Sequence, residues 1–314
     1  ITDTAKRLYL IYVSLTFAEF FLLKMAGMTW FDAINHAMAT MSTGGFSTKT
    51  DSVAFYNGQP LIQYIIIFFM IVAGTNFVLS YYALKGKVQK VFQSEEFKYY
   101  FFGILGVTAI VAVLILFFQD PNLNTVLAHP EVYGKTESAF RHALFMVTSV
   151  VTTTGFVTAD FTMWNYFATG IFFALFFTGG SAGSTSGGVK VVRHIIMLKN
   201  SFLEFKKALH PNAIIPVRYD GKSVNPQIVF NILSFFIIYM LIFILASVTL
   251  TFLGLDFMSA LGASASCLGN IGPAIGSVSP VNNYHHLSDA AKYFCSFLML
   301  IGRLELFTVL ILFT

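Results

Sequence analysis

Three short segments carry the residue types from which a cation site can be built out of backbone alone. They read Met41-Ser42-Thr43-Gly44-Gly45-Phe46-Ser47-Thr48, Val151-Thr152-Thr153-Thr154-Gly155-Phe156-Val157-Thr158 and Cys267-Leu268-Gly269-Asn270-Ile271-Gly272-Pro273-Ala274. Each sets a glycine two residues after a polar residue and directly before Phe or Pro. Glycine permits the backbone angles that turn successive carbonyl groups toward one axis. A ring of such carbonyls can replace an ion's hydration shell. The candidate ion ligands are Thr43, Gly44 and Gly45, then Thr153, Thr154 and Gly155, then Asn270, Ile271 and Gly272. A single Thr-Gly-Phe in an apolar chain is an ordinary turn; three at matching places favour a pore. Phe46 and Phe156 are expected to brace their loops on either reading.

Two further features belong with them. The run Gly179-Gly180-Ser181-Ala182-Gly183-Ser184-Thr185-Ser186-Gly187-Gly188 is uncharged and interrupts what would otherwise be one helix from Trp164 to Leu209. Each helix-interior glycine costs roughly 1 kcal/mol against alanine, so the run predicts a loop at membrane depth. It lacks the Gly-Lys-Ser/Thr ending of a phosphate-binding loop and follows no strand. Close packing of small residues between helices is the other reading. Arg303 lies within the last apolar run, with Glu305 two residues on. A charge at the bilayer centre costs about 2.5–3.5 kcal/mol on insertion scales and therefore faces protein or water. Residues two apart on a helix do not face each other, so Glu305 is expected to have another partner. A buried pairing of Arg303 with backbone is the plain alternative.

Other polar residues say less. Glu19 reads as a buried hydrogen-bonding residue, Asn76 as a pairing residue between helices, and Arg141 and His142 as outer-surface residues near the start of a short helix. Cys267 and Cys295 lie in apolar segments and read as small buried residues. No His, Cys or carboxylate cluster has metal-site spacing, and no nucleophile–base pair stands out.

These loops need elements to hold them. Of 314 residues, 56% are hydrophobic and 11% charged, with a mean hydropathy of +0.72. Soluble domains carry about 25% charged residues, so the chain reads as membrane-embedded. A net charge of +4 is too small to suggest nucleic acid. A bilayer core needs about 20 apolar residues as helix. Long apolar runs occur at Leu8–Met25, Leu61–Leu84, Tyr99–Phe118, Trp164–Thr178, Val229–Leu253 and Ala290–Thr314. The stretches Phe31–Met41, Ser138–Val151 and Phe257–Cys267 are too short to span and read as re-entrant helices. Long helix, short helix, glycine loop and long helix recur three times, with Gly45, Gly155 and Gly272 spaced by 110 and 117 residues. Repetition of this kind marks a repeated architecture, divided at 1–90, 91–224 and 225–314.

Charge orients the units. Lys85, Lys87, Lys90 and Lys98 fill one connector, and Lys190, Arg193, Lys199, Lys206, Lys207, Arg218 and Lys222 another. The glycine-loop side is nearly free of positive charge apart from Lys49 and Lys135. Basic connectors stay cytoplasmic, so the glycine loops enter from outside. Each short helix then points its negative C-terminal end at the pore, which favours a cation.

Taken together, the motifs resemble the Trk/Ktr/HKT superfamily of potassium transporters, and most of all the bacterial Trk-type membrane subunit. The resemblance runs along essentially the whole chain. It rests on Gly27-Met28, Phe31-Asp32-Ala33, His36-Ala37-Met38, the three loops, Gly179–Lys190 and Gly302-Arg303-Leu304-Glu305. It implies an all-α polytopic membrane protein with four helix–pore-helix–helix units around a pseudo-fourfold pore, three of them present here. The chain begins at Ile1 rather than Met, so a fourth filter strand is expected from sequence preceding it. The implied function is potassium uptake across the bacterial cytoplasmic (inner) membrane, without organic cofactor and without catalysis. Glycine at the filter position goes with potassium in the family. The resemblance makes Gly179, Gly180, Ser181, Ala182, Gly183, Ser184, Gly187 and Gly188 an intramembrane gate, with Arg303 raising the barrier beneath the filter. It further implies a homodimer in the lipid bilayer and a cytoplasmic nucleotide-binding regulatory ring protein. An ion-coupled secondary transporter for potassium or sodium is the alternative, because such proteins use broken helices at the midplane.

Overall fold

The computed structural model describes residues 2–118, 136–210 and 215–304. Lys135 and Glu305 lie outside them. The chain is helical, and the order long helix, short helix, loop, helix occurs three times. The first pass is α1 (Thr2–Met25), α2 (Trp30–Met41) and α3 (Pro60–Ala73), followed by α4 (Phe77–Leu84) and α5 (Val88–Gln93). The second is α6 (Glu95–Phe117), α7 (Thr136–Val151) and α8 (Tyr166–Leu175), continued by α9 (Val191–Leu209). A two-residue hairpin, β1 (Arg218–Tyr219) and β2 (Lys222–Ser223), leads to α10 (Pro226–Phe252), α11 (Phe257–Gly269) and α12 (Asp289–Arg303).

By length and composition, α6, α10 and the Lys6–Met25 part of α1 are long and apolar enough to cross a membrane. The short helices are not, and each has a firm start or a firm seat. Thr29 Oγ1 accepts from the Asp32 N–H at 3.0 Å, and Asp256 Oδ2 from the Ser259 N–H at 3.1 Å, satisfying donors a first turn leaves free. The second short helix, α7, is buried along nearly its whole length between α3, α6 and α8.

Two regions depart from expectation. The run Leu61–Leu84 is not one helix: α3 and α4 meet at 111°. The break falls at Gly74, where a Cβ would lie 2.4 Å from Tyr100 Oη and 2.8 Å from Thr152 Cγ2. The Gly74 carbonyl accepts from the Ser181 N–H at 2.8 Å, and the Phe77 N–H reaches the Gly183 carbonyl at 3.3 Å. Asn76 does not pair between helices; its Oδ1 caps α4 through the Val78 N–H at 2.9 Å. Apolar composition runs straight through this bend, because the contacts that break the helix come from Tyr100, Thr152, Ser181 and Gly183, all outside the local window.

The second correction concerns Arg141 and His142, which are 4% and 0% exposed rather than surface residues. Arg141 Nε bonds Glu137 at 2.9 Å and its guanidinium bonds Gln63. Gln63 in turn donates to Asn57 Oδ1 at 2.6 Å, and Asn57 to the Thr158 carbonyl at 3.1 Å. This chain of polar groups ties α3 and α7 to the segment leaving the second loop. Arg141→Ala strands Gln63 in a buried site, a loss of about 1–3 kcal/mol. A melting temperature measured in detergent should fall accordingly; an unchanged value would show that the network adds nothing.

At the basic end, the hairpin is bolted to the start of α6. Asp220 Oδ1 accepts from the Glu95 N–H at 2.8 Å, Lys199 pairs with Glu95, and Lys199 Nζ reaches the Arg218 carbonyl at 2.9 Å. Asp220-Gly221, with φ of 47° and 75°, is the signal of a two-residue hairpin turn, whereas α5 has no distinct sequence signal.

Candidate ion-conducting site

The short helices end in one and the same way. Thr43 N–H donates to the Thr40 carbonyl and Gly44 N–H to Ala39; Thr153 donates to Val150 and Thr154 to Ser149; Asn270 donates to Cys267 and Ile271 to Ser266, all between 2.8 and 3.2 Å. This is a Schellman termination, normally built on glycine. Here the left-handed residue is Thr43 (φ 52°), Thr153 (φ 54°) or Asn270 (φ 55°). Asparagine tolerates that conformation, but a β-branched residue there is an outlier, held at a cost of about 1–2 kcal/mol. Two residues on, Gly45, Gly155 and Gly272 have φ of 65°, 84° and 104°, while the residue between is not left-handed in any loop. Such alternation turns consecutive carbonyls to one side of the chain.

The loops also close on one another in a fixed sense. A Cβ on Gly45 would sit 2.0 Å from the Thr154 carbonyl oxygen, and a Cβ on Gly155 would sit 2.1 Å from that of Ile271. Thus the first loop abuts the second and the second abuts the third, glycine against carbonyl. A Cβ on Gly272 would meet only Gly155 Cα, at 3.9 Å. All nine sequence-predicted ligand positions therefore lie in three loops of one backbone shape, the first against the second and the second against the third.

Bracing differs from loop to loop. Ser149 Oγ donates to the Phe156 carbonyl at 2.7 Å. Ser266 Oγ accepts from the Gly272 N–H at 3.1 Å, and Tyr284 Oη donates to the Gly272 carbonyl at 3.2 Å. Phe156 is fully buried and stacks on His36 with ring centroids 5.6 Å apart. Phe46 does not brace its loop: it is 80% exposed. There the work is done by His36, whose Nε2 pairs with Ser47 Oγ at 3.0 Å. Glu19 of α1 is fully buried, facing Thr40.

Asp32, in the first turn of α2, bonds Thr48 and lies 3.3 Å from Lys49 Nζ. Burial alone would raise its pKa, but hydrogen bonds from Thr48 and Thr29 and the nearby Lys49 ammonium outweigh burial and hold the carboxyl at about 2. A lowered acid contributes stability that is present above its unfolded value of about 3.9 and lost as the pH falls toward the folded one. Melting temperature should therefore drop between about pH 4 and pH 2, and Asp32→Asn should flatten that drop. An equal acid dependence in the variant would place the titration elsewhere.

The glycine–serine run is a loop, and it lies directly under the deep end of the three loops. Thr43 Oγ1 donates to the Thr185 carbonyl at 2.9 Å, Thr185 Oγ1 to the Met41 carbonyl at 3.0 Å, and the Gly187 N–H to Thr153 Oγ1 at 2.6 Å. A Cβ on Gly187 would lie 2.7 Å from the Gly269 carbonyl. So the threonines at the left-handed positions serve twice, ending a helix and holding the run beneath it. Within the run, Gly179 N–H bonds the Val189 carbonyl at 2.8 Å and Ser186 Oγ accepts from the Gly180 N–H at 3.0 Å. Ser184 Oγ donates to the Ser181 carbonyl at 2.6 Å. Lys190 Nζ bonds the Ser186 carbonyl.

Arg303 ends the described part of α12, and its Nη1 donates to the Thr185 carbonyl at 2.9 Å. It is exposed at the rim of a cavity of about 370 Å³ that also meets Ser184, Gly188 and Tyr239. Four residues of this site were not singled out in the sequence: Thr185, Ser186, Gly74 and Glu96. Glu96 is 4% exposed, and its Oε1 accepts from the Ala182 N–H at 2.6 Å. A carboxylate at the mouth of an apolar helix was the available signal.

Comparison with known proteins places the whole chain in a family. The family described as "TrkH: Cation transport protein" matches residues 1–314. The Trk system potassium uptake protein TrkH of Escherichia coli K12 is 36% identical over 315 residues, covering 100% of this chain and 62% of that protein. TrkG of the same organism is 30% identical, with the same coverage. The crystal structure of the potassium transporter TrkH from Vibrio parahaemolyticus superposes with a TM-score of 0.89 at 34% identity, covering 100% of this chain and 64% of that one. The chain thus spans about 62% of the length of these curated relatives.

Proposed function

The chain belongs to the TrkH family of cation transport proteins, and on that premise we propose that it conducts potassium inward across the bacterial cytoplasmic membrane through a backbone-carbonyl filter. The observation that carries this reading is the shared backbone of the three loops, each glycine set against its neighbour's carbonyl. The filter carbonyls are those of Thr43 to Gly45, Thr153 to Gly155 and Asn270 to Gly272. Segments 1–90, 91–224 and 225–314 each supply one strand. A fourth strand completes the pseudo-fourfold ring beside Gly272 and Gly44. The exposed apolar residues Trp30, Phe31, Met38 and Phe46 support a further unit on that side.

The run 179–188 is the gate, and Arg303 is its electrostatic partner. Thr43 and Thr153 hold the run shut against the filter, and Arg303 adds a positive charge on the exit path. A second copy of the subunit and a nucleotide-binding ring protein complete the assembly. The exposed Leu198, Phe202 and Phe205 of α9, set among Lys199, Lys206 and Lys207, support docking of such a partner on the basic face.

Ion selectivity tests the reading. In proteoliposomes holding the intact protein, potassium and rubidium are expected to enter in preference to sodium. Sodium uptake equal to or faster than rubidium would overturn it.

A further inference from the structure

Among the described residues, Gly272 is the one position of the nine in the three loops whose carbonyl accepts a hydrogen bond from a side chain. Tyr284 Oη donates to it at 3.2 Å. The sequence shows why this carbonyl needs a grip. Pro273 follows it, so the peptide that carries the carbonyl has no N–H. In the first two loops the equivalent peptide has the N–H of Phe46 or Phe156. At Gly272 the oxygen is the only polar group by which that peptide plane can be held. Glycine at φ of 104° adds no steric restraint of its own.

Tyr284 is placed for this task by the segment between α11 and α12. Residues 281–283, 285 and 286 are exposed, while Tyr284 is half-buried. Its ring packs against the apolar cluster that holds Cys267, Ala274, Val278, Leu287 and Cys295. The segment is stapled on both sides of it. Asn282 Nδ2 donates to Ser279 Oγ at 2.9 Å, the His285 N–H to Asn283 Oδ1 at 3.0 Å, and the Leu287 N–H to the Tyr284 carbonyl at 3.3 Å. His286 Nε2 pairs with Ser277 Oγ at 3.1 Å, and the Ser277 N–H reaches Ser259 Oγ, in the first turn of α11, at 2.7 Å. Ser266, near the other end of α11, takes the Gly272 N–H at 3.1 Å. Both polar groups of residue 272 are therefore held, one by α11 and one by the segment that follows.

A carbonyl oxygen has two lone pairs, so one can take the phenol proton while the other faces an ion. Carbonyls held at a fixed spacing replace the hydration shell of an ion of one size and fail to close around a smaller one. A carbonyl free to tilt can close on the smaller ion. On the potassium-filter reading above, we propose that Tyr284 is a positioning residue that sets ion preference. Its hydroxyl keeps the Gly272 carbonyl from tilting inward, so sodium is admitted less readily than potassium.

Rubidium and sodium uptake are measured in proteoliposomes holding the intact protein or its Tyr284→Phe variant. The variant keeps the ring and loses only the donor, so its melting temperature in detergent should stay close to that of the unmodified protein. Its ratio of rubidium to sodium uptake should fall about threefold to tenfold, the range of one net hydrogen bond, with sodium uptake rising. Tyr284→fluorotyrosine keeps a donor, and a stronger one, and should hold or raise the ratio; it also serves if the phenylalanine variant fails to fold. An unchanged or higher ratio in folded Tyr284→Phe overturns the proposal. So does an equal fall in the uptake of both ions, which would mark plain support of the loop, or a lowered ratio in the fluorotyrosine variant. An unmodified protein that does not prefer rubidium would overturn the potassium filter itself, a failure distinct from loss of the Tyr284 effect in a selective protein.

Discussion

Replacing Gly155 by alanine in the intact protein is expected to abolish rubidium uptake while leaving the protein folded. The added Cβ would lie 2.1 Å from the Ile271 carbonyl oxygen, far inside van der Waals contact, and the atom it meets is backbone. Gly155 also has φ of 84°, where a Cβ is strained whatever the space. Relief must come from rotating a filter carbonyl away from the ion path, so uptake should fall at least about a hundredfold, roughly 2.7 kcal/mol on the barrier. Gly45→Ala should do the same, because its Cβ would lie 2.0 Å from the Thr154 carbonyl. Gly272→Ala is the informative member of the set. Among the described residues its Cβ meets nothing closer than 3.9 Å. If a fourth loop presents a carbonyl there, as the ring order implies, the loss should match the other two. A much milder effect would sink the fourfold reading, and full activity of Gly155→Ala would sink the filter itself.

Arg303→Ala and deletion of residues 180–187 should both raise uptake. The run is tied to the base of the three loops by Thr43, Thr153 and Thr185, and on the proposed reading it blocks the exit. Arg303 holds it through the Thr185 carbonyl and, on the proposed reading, sets a positive charge where a cation leaves. Removing the guanidinium takes away both effects, and about a tenfold rise corresponds to roughly 1.4 kcal/mol off the barrier. The deletion should give at least as large a rise, because it removes the obstacle rather than its clasp. Steady-state rubidium uptake into proteoliposomes reads both variants, with selectivity over sodium checked in parallel. Unchanged or lost flux in a folded deletion variant would mean that the run supports the pore instead of closing it. Glu96 grips the same run from the other side through Ala182.

Much of this was legible along the chain. Periodic apolar runs, their lengths and the basic connectors depend on local composition, so the repeated helix order and the start of each short helix could be read directly. Gly45, Gly155 and Gly272 announced themselves because a left-handed backbone leaves few residue types available. The glycine–serine run was legible as a break in a helix for the same reason. Phe46 and Phe156 were not separable: they occupy the same place in two loops, yet one is exposed and the other buried against His36. That difference lies in the neighbours each loop meets.

Residue types and spacing determined the helical membrane architecture, the helix order that recurs three times and the places of the three glycine loops, because each of these follows from short-range chemistry. Folding in three dimensions settled the rest. It bent α3 against α4 at Gly74, because Tyr100, Thr152 and Ser181 crowd that position from distant segments. It buried Arg141 in a polar chain that no window around residue 141 contains. It gave Thr43 and Thr153 a second role, since their hydroxyls find the glycine–serine run only once three units have packed around one axis. Close approach between residues a hundred positions apart leaves no trace in local pattern, and the closing of glycine upon carbonyl is an approach of that kind.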